Sequence, residues 1–402
     1  MTVVVVGAGI NGVTAAIELK KRGHAVTLVD PGPLPHPLAA STDISKAVRA
    51  SYGPDADYTA LAERAIPLWR KWNEQFGCDL FHETGFLFMR RPEMRPGDFE
   101  YESFRVLSEA GHAVERIDSD KLRERFPAWP ADTFRDGFLE VGAGYAESGR
   151  VVAALVPRAE SLGVELRQNI KFLELAEGDG RVEGIVVGDA GNVPREASGF
   201  PYRISADAIV MAVGAWTPFL LPFTKNYFRA TGHPVFHLKP REPDLFMPER
   251  FPVFGADIST TGYYGFPIGR DGVVKIGSHG VGREMSPESP ERVVTAEEEN
   301  RMREFLSWAF PKLADAALVY SRICLYCDTH DGDFWIAPDA ERRGLTVACG
   351  DNGHGFKFAP VMGELIADAV EGKTNKWSNK FRWRPEVQPG IRKEAARAQR
   401  EL

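Results

Sequence analysis

This sequence of 402 residues has few cysteines, no long apolar runs and no excess of positive charge. The longest apolar runs, such as residues 3–6 and 208–213, are far shorter than the roughly 20 residues that cross a membrane as a helix. Lys and Arg number 49 against 56 Asp and Glu, so the formal net charge is −7 and no basic excess exists for nucleic acid. The chain opens on an apolar run without the charged segment that begins a signal peptide. We therefore expect a cytoplasmic protein that binds neither nucleic acid nor a membrane.

The overall composition is that of a large globular chain. Hydrophobic residues make up 44% and charged residues 26%, a balance that argues against extensive disorder. At roughly 150 residues per domain, the length predicts two to three domains. The cysteines are too sparse for a disulfide framework, and no metal site is expected. They are Cys78, Cys324, Cys327 and Cys349.

The first 30 residues carry the clearest pattern in the chain. The β-branched run 3–6 is typical of a strand that is buried on both faces in a parallel sheet. A glycine-rich turn follows, then a helix through Arg22, and then a second strand over 25–29 that ends at Asp30. The turn contains Gly7, Gly9, Ile10, Asn11 and Gly12.

The spacing of the three glycines in this turn predicts a dinucleotide-binding site. Gly7 permits the tight turn, Gly9 lets the backbone approach a pyrophosphate, and Gly12 lets the helix pack on the strand. The N-terminus of the helix supplies partial positive charge for the phosphates. Asp30 follows Gly12 by 18 residues, where it is placed to accept hydrogen bonds from an adenosine ribose and would repel a 2′-phosphate.

Similar parallel-strand patterns recur in the middle and near the end of the chain, over 164–167, 208–213 and 345–348. Aromatic clusters between them, such as 86–89 and 263–266, are typical of antiparallel strands. We predict an α/β protein with a Rossmann-like nucleotide-binding domain that is discontinuous in sequence and a mainly antiparallel substrate domain. The first comprises residues 1–85, 146–220 and 318–375, and the second comprises residues 86–145, 221–317 and 376–402 with the C-terminal segment.

Five motifs, which follow one another along the chain, resemble those of a known family; the fifth motif consists of two segments. They are residues 7–12, 41–49, 263–267, 274–279, and the C-terminal pair 322–324 and 353–358. Over nearly its whole length the chain resembles the flavin-dependent amine oxidases of the D-amino-acid-oxidase superfamily, in particular monomeric sarcosine oxidase and fructosyl amino acid oxidase.

The resemblance implies FAD as cofactor and O₂ as electron acceptor. It implies oxidation of the C–N bond of an N-substituted (secondary) amino acid to an imine, which hydrolyses to an amine and a carbonyl compound, with H₂O₂ as the second product. A fructosyl amino acid oxidase is the alternative within the family, and a flavin dehydrogenase that passes electrons to a carrier is the alternative outside it. We expect a monomer, although the sequence leaves an oligomer open.

Cys324 matches the cysteine that carries the flavin through a thioether in this family. From the residues alone it is a buried structural cysteine, and the spacing to Cys327 is also compatible with a redox pair or half a zinc site. The resemblance favours the covalent flavin link, and it leaves Cys327 without a role.

Five further residues are predicted to act in catalysis. By resemblance, Lys275 activates oxygen, and Lys357 binds the substrate carboxylate. Lys46 and Arg49 lie three residues apart, so we expect them to share a face of a helical turn, one towards the flavin and one towards the substrate carboxylate. His279 is predicted to contact the substrate.

The remaining cofactor contacts are predicted from the same motifs. They are Ser41, Thr42 and Lys46, then Gly214 and Trp216, and finally Asp351, Gly353, His354, Gly355, Phe356 and Lys357.

The substrate markers are mixed. Sarcosine oxidases resemble this chain in having a histidine at position 279, where fructosyl enzymes place a glutamate that contacts sugar hydroxyls. Lys46 and residues 382–385 look more like the fructosyl enzymes. Because sugar hydroxyls need acceptors, we rank a small or cyclic secondary amino acid above a fructosyl amino acid.

Overall fold

The apolar run at the start of the chain forms a central strand of a six-stranded sheet in the computed structural model, which describes residues 1–191, 201–388 and 394–398. The strands of this sheet are β1 (Thr2–Val6), β2 (Ala25–Asp30), β9 (Glu165–Gln168), β13 (Ala208–Met211), β20 (Trp335–Pro338) and β21 (Leu345–Cys349). Their order is β20-β21-β13-β1-β2-β9, and all neighbours are parallel except β20 and β21 at one edge. The sheet therefore joins segments from the beginning, the middle and the later part of the chain.

Both faces of β1 are buried, which explains its unbroken apolar sequence. Val3 and Val5 belong to a core that contains three helices, α1 (Ile10–Lys21), α5 (Ser148–Ser161) and α9 (Ala359–Val370). Val4 and Val6 belong to a second core, on the opposite face, together with a three-stranded sheet of β10 (Ile170–Gly178), β11 (Arg181–Asp189) and β12 (Tyr202–Ser205). The period-two alternation of a strand thus places successive valines in different cores.

A nine-stranded sheet forms the other large part of the molecule. Its strands are β5 (Phe86–Arg90), β6 (Val114–Asp118), β7 (Asp136–Glu140), β14 (Phe228–Lys239), β15 (Val253–Ala256), β16 (Tyr263–Phe266), β17 (Val274–Ser278), β18 (Arg283–Glu284) and β19 (Ala317–Thr329). The pairs are antiparallel, as the aromatic clusters predict, except that β15 runs parallel to β5. The mixed α/β fold is confirmed.

The prediction that Lys46 and Arg49 share a face of a helical turn is wrong. Residues 46–48 form strand β3 (Lys46–Val48) in a small sheet with β4 (Phe81–His82) and β8 (Gly144–Ala146). Lys46 is paired with Ala146 in the antiparallel register of β3 and β8. Residues three apart in extended chain point to opposite sides, so the two cations are directed to different places.

The remaining helices flank these sheets. They are α2 (Ala56–Phe76), α3 (Phe99–Glu109), α4 (Ser119–Arg125), α6 (Thr217–Leu220), α7 (Ile258–Thr261) and α8 (Ala296–Ala309). Within the described ranges, no helix has both the length and the apolar character that a membrane span requires.

Candidate active site

The turn between β1 and α1 has a geometry that admits only glycine at two positions. Gly7 has φ of +96°, and a Cβ at that position would lie 2.6 Å from the Ala212 carbonyl oxygen. A Cβ at Gly12 would lie 1.7 Å from the Gly7 carbonyl oxygen, so any side chain there would push the helix away from the turn. The backbone at the start of α1 is therefore bare and open to a close ligand.

Asp30 is tied to the same turn at the end of β2. Its carboxylate accepts from the backbone N–H of Ala8 at 2.8 Å and from that of Gly32 at 3.1 Å. Burial raises the pKa of Asp30, and these two backbone donors oppose that rise. The carboxylate is thus held in place where Asp30 lines a large cavity.

A cavity of about 440 Å³ extends from this turn to the loop that precedes α9. Such a volume is typical of a site for a cofactor or another small molecule. Fourteen of the predicted cofactor residues line it, namely Gly7, Gly9, Ile10, Asn11, Asp30, Ser41, Lys46, Gly214, Trp216, Cys324, Asp351, Gly353, Gly355 and Phe356.

Four predicted cofactor residues lie outside that lining. Gly12 packs behind the turn, and the Thr42 hydroxyl donates to the carbonyl oxygens of His36 and Ala39, each at 2.8 Å. His354 and Lys357 are buried further along the loop, beside Tyr52. Tyr326, which sequence reasoning missed, lines the cavity and links it to His279.

Cys324 lies in the cavity wall with a cation beside it. Its Sγ is 3.3 Å from the Lys46 Nζ, and the cysteine is 3% exposed. Burial alone lowers the pKa of Lys46, but the charges of Cys324 and Asp43 raise it above its ordinary value. Cys324 thus lines the cavity with a charged hydrogen-bond donor against its sulfur.

Cys327 does not form a pair with Cys324. The two residues lie three apart in β19, so their side chains point to opposite faces of the strand. Cys327 belongs to the core that contains Val4 and Val6, and burial raises its pKa well above the ordinary value. Among the described residues no cluster of three or more metal-ligating side chains occurs.

Lys275 is fully buried in β17 against a carboxylate that sequence reasoning missed. Its Nζ lies 2.7 Å from Asp43 Oδ2 and donates to the Ser45 carbonyl oxygen at 2.5 Å. Burial lowers the pKa of Lys275 to about 8, against the opposing effect of Asp43. Asp43 is also 3.8 Å from Lys46, so one carboxylate serves two lysines. Asp43 could have been predicted from the sequence, because it lies within the motif 41–49.

Lys275 faces a separate, small cavity rather than the large one. This second cavity, of about 20 Å³, is lined also by Tyr145 and Phe266, and it has room for one water molecule. The Phe266 ring centroid lies 4.6 Å from the Lys275 Nζ.

A second cluster of buried basic side chains lies behind Tyr326. It contains Arg49, His279 and Lys357, each less than 7% exposed. The Lys357 Nζ contacts the Tyr52 hydroxyl and the His354 carbonyl oxygen, each at 2.9 Å. Burial and the nearby Arg49 lower the pKa of Lys357 well below its ordinary value.

The anion in this cluster is Glu394, from the C-terminal part of the chain. Its Oε1 lies 2.5 Å from Arg49 Nη2, and its Oε2 lies 2.5 Å from His279 Nε2. Arg49 Nη1 is buried and has no hydrogen-bond partner among the described residues. No sequence motif surrounds Glu394, and 345 residues separate it from Arg49, so sequence reasoning had no signal for this contact.

Comparison with known proteins identifies relatives that span almost the whole chain. The family model described as "DAO: FAD dependent oxidoreductase" matches residues 2–369. Monomeric sarcosine oxidase of Bacillus sp. (strain B-0618) is 28% identical over 92% of this chain and 93% of its own. Monomeric sarcosine oxidase of Streptomyces avermitilis is 30% identical over 92% and 94%.

A solved structure of a related enzyme also covers almost the whole chain. The crystal structure of fructosyl amine: oxygen oxidoreductase (Amadoriase I) from Aspergillus fumigatus superposes with a TM-score of 0.78 at 26% identity, over 96% of this chain and 90% of that one. The names of these relatives indicate different substrates: sarcosine for the first two and a fructosyl amine for the third.

Proposed function

Since the chain belongs to the DAO family of FAD-dependent oxidoreductases, we propose that it oxidises the C–N bond of an N-substituted amino acid, with O₂ as acceptor and FAD attached to Cys324. The products are an imine, which hydrolyses to an amine and a carbonyl compound, and H₂O₂. One observation carries the proposal. A buried cluster of Arg49, Lys357 and His279 adjoins, through Tyr326, the cavity that contains Cys324.

The large cavity has the features that FAD requires. The bare backbone at Gly7 and Gly12 admits a pyrophosphate at the N-terminus of α1, and Asp30 is held where a ribose hydroxyl needs an acceptor. Gly353, Gly355 and Phe356, which line the other end of the cavity, would lie beside the flavin ring. FAD, when bound, would accept the hydride that leaves the C–H bond next to the substrate nitrogen while the C–N single bond becomes C=N.

Arg49 and Lys357 bind the substrate carboxylate in this proposal. The unpartnered Arg49 Nη1 offers a charge-assisted hydrogen bond to an incoming carboxylate oxygen. An anion at this place would also raise the lowered pKa of Lys357 and so restore its ammonium. The two cations in turn favour the neutral form of the substrate amine, which is the form that is oxidised.

Lys275 serves the reaction with O₂ in this proposal. It is a fixed and fully buried cation, and such a group stabilises the negative charge that develops on O₂ as it is reduced. Asp43 and the Ser45 carbonyl oxygen hold the ammonium in one position. A dehydrogenase that uses a carrier would have no need of this lysine.

Lys46 supports the covalent attachment of FAD in this proposal by donating to the Cys324 Sγ, which holds the sulfur at one place in the cavity wall. The other described cysteines lack such a cation in contact. Cys327 and Cys349 are buried with raised pKa values, and Cys78 is exposed at the surface.

A small or cyclic secondary amino acid remains the first candidate substrate, and a fructosyl amino acid is the second. Two observations favour the second candidate. The chain is similar to Amadoriase I, and Glu394 places beside His279 a carboxylate that could accept hydrogen bonds from sugar hydroxyls. A monomer is part of the proposal, and light scattering after size-exclusion chromatography tests it.

The experiment for the proposed function is a peroxide-coupled comparison of kcat/KM. The substrates are N-methyl and cyclic amino acids, fructosyl-glycine, and the matching amines without a carboxylate. We expect the secondary amino acids to react best and the decarboxylated amines to lose tenfold or more. Equal rates for the decarboxylated amines would contradict the carboxylate site. A tenfold preference for fructosyl-glycine (about 1.4 kcal/mol) would establish the second candidate.

A further inference from the structure

Residues 394–398, the C-terminal segment, lie against the substrate cluster and are fixed there by contacts of their own. The Ala398 N–H donates to the His279 carbonyl oxygen at 3.1 Å. Arg397 makes two hydrogen bonds to Asp328, at 2.7 and 2.8 Å, and a third to the Gly280 carbonyl oxygen. Ala396 is fully buried. The segment is therefore a docked part of the fold, and its position does not depend on Glu394 alone.

Glu394 enters the cluster of basic side chains from this docked segment. Its side chain is 3% exposed and contacts both Arg49 and His279. Burial raises the pKa of Glu394, but its partners His279 and Arg49 more than offset this and hold the pKa well below its ordinary value. The side chain is thus a carboxylate, the same chemical group that the cluster is proposed to bind in the substrate.

The hydrogen-bonding capacity of Arg49 shows why two carboxylates conflict here. A guanidinium binds one carboxylate best through two parallel N–H···O bonds. Glu394 accepts from Nη2, so a second carboxylate cannot take both terminal nitrogens, and the buried Nη1 is the one without a partner among the described residues. The charges conflict as well, because Glu394 already neutralises Arg49 and burial disfavours the ammonium of Lys357. A second anion would therefore face a repelling first one.

We infer that Glu394 is a specificity-determining residue, whose carboxylate competes with the substrate carboxylate for Arg49. An amino acid substrate binds in full only when Glu394 leaves Arg49, whereas a neutral ligand does not meet this competition. The inference rests on the proposed function, since it assumes that Arg49 receives the substrate carboxylate.

The anchor at Arg397 makes this competition effective. A carboxylate that is held three residues from a docked contact stays at a high local concentration, on the order of millimolar for short flexible connections. Arg397→Gln would remove the paired bonds to Asp328 and lower that concentration. It should therefore weaken the competition without changing any group that touches the substrate.

The decisive experiment measures the binding of two small probes, propionate and the neutral propionamide, by thermal shift of the flavin-loaded enzyme. Glu394→Gln keeps the shape of the side chain and removes its charge. We expect it to lower the Kd of propionate tenfold or more and to leave the Kd of propionamide within twofold. Arg397→Gln should also lower the Kd of propionate, by a smaller factor, and leave the Kd of propionamide within twofold.

Glu386→Gln is the matched control, because Glu386 is an exposed carboxylate in the same C-terminal region that pairs with Arg382. It should leave both dissociation constants unchanged. Steady-state kinetics with an N-methyl amino acid provide the second readout. In Glu394→Gln the KM should fall tenfold or more with kcat within twofold of the wild type.

Three outcomes would overturn the inference. An unchanged Kd for propionate in Glu394→Gln means that Glu394 does not compete. A raised Kd or a lowered kcat means that it orients Arg49 or His279 instead. A selective loss of activity on fructosyl-glycine means that it accepts from sugar hydroxyls. If propionate binding tightens but no amino acid is oxidised, the proposed function fails while the competition stands, so the two failures are distinguishable.

Discussion

Three basic side chains of the candidate site each contact an acidic or thiol side chain. Lys46 contacts the Cys324 Sγ, Lys275 contacts Asp43, and Arg49 contacts Glu394. Burying a charge without such a partner costs several kcal/mol, so each pair contributes to the stability of the fold as well as to its proposed role in the reaction. At the scale of single residues, variants that remove a charge while keeping volume are therefore the most informative.

Cys324→Ala should release the flavin from its covalent link. The intact mass of the wild type should exceed that of the chain by one FAD, and the variant should show the mass of the chain alone. After acid precipitation the yellow colour should stay in the wild-type pellet and move to the supernatant for the variant. Cys78→Ala, at an exposed cysteine, is the control that should keep the link. An unmodified mass for a yellow, active wild type would refute the prediction.

Lys275→Met should slow reoxidation of the reduced enzyme by O₂ by about 10²-fold, the scale of losing one preorganised electrostatic group. Anaerobic reduction by substrate should persist, since Lys275 lies in its own cavity away from Arg49 and Lys357. Stopped-flow absorbance measures both half-reactions. The exposed Lys225→Met is the matched control. Unchanged reoxidation would assign Lys275 a structural role.

The pH dependence of reoxidation provides an independent check on the same lysine. Burial lowers the pKa of Lys275 to about 8, so the ammonium is present below that pH and is lost above it. Wild-type reoxidation should therefore slow as pH rises from 7 to 9. The Lys275→Met variant has no ammonium to lose and should show no such decline. A wild-type rate that rises over this range would contradict the assignment.

At the scale of elements, the approach of α1 to β1 depends on a missing side chain. A Cβ at Gly12 would lie 1.7 Å from the Gly7 carbonyl oxygen, and neither atom belongs to a flexible side chain. The helix would have to move away from the turn, and the backbone N–H groups at its start would move with it. The cofactor turn and the helix packing are thus one structural unit.

Gly12→Ala should accordingly lower the FAD content of the purified protein by tenfold or more and lower its Tm. The ratio of absorbance at 450 nm (flavin) to 280 nm measures the FAD content. Gly142→Ala is the control, because a Cβ there would lie 3.5 Å from its nearest neighbour, the end of the Arg70 side chain. Full FAD content in Gly12→Ala would show that the turn does not hold the cofactor.

Elements with a local sequence signal could be predicted, whereas a short strand that depends on distant pairing could not. The first strand, turn and helix were predictable because their signals are local, in the spacing of residues 3–12. Strand β3 was not, since its three residues are extended only through pairing with β8, about 100 residues later. The helical expectation for Lys46 and Arg49 used their spacing alone, and tertiary pairing overrode it.

At the scale of the whole molecule, the candidate site combines predictable and unpredictable parts. Lys275, Lys357 and Cys324 belong to motifs, and all three are buried. Asp43 and Glu394 acquire their roles through contacts that span 232 and 345 positions, which no local pattern records. The division into two discontinuous domains and the roles of the site residues stay predictions that the variants above can decide.

The order of strands in the six-stranded sheet also has a consequence for the protein during its synthesis. The neighbours of β1 are β2 and β13, and β13 follows about 200 residues after β1. At about 5–20 residues per second, the ribosome completes β13 roughly 10–40 s after β1. For that interval one edge of the most apolar strand has no partner, and such an edge invites pairing with other chains. We therefore expect the yield of intact protein in cells to depend on chaperone supply and translation speed, as well as on the stability of the finished fold.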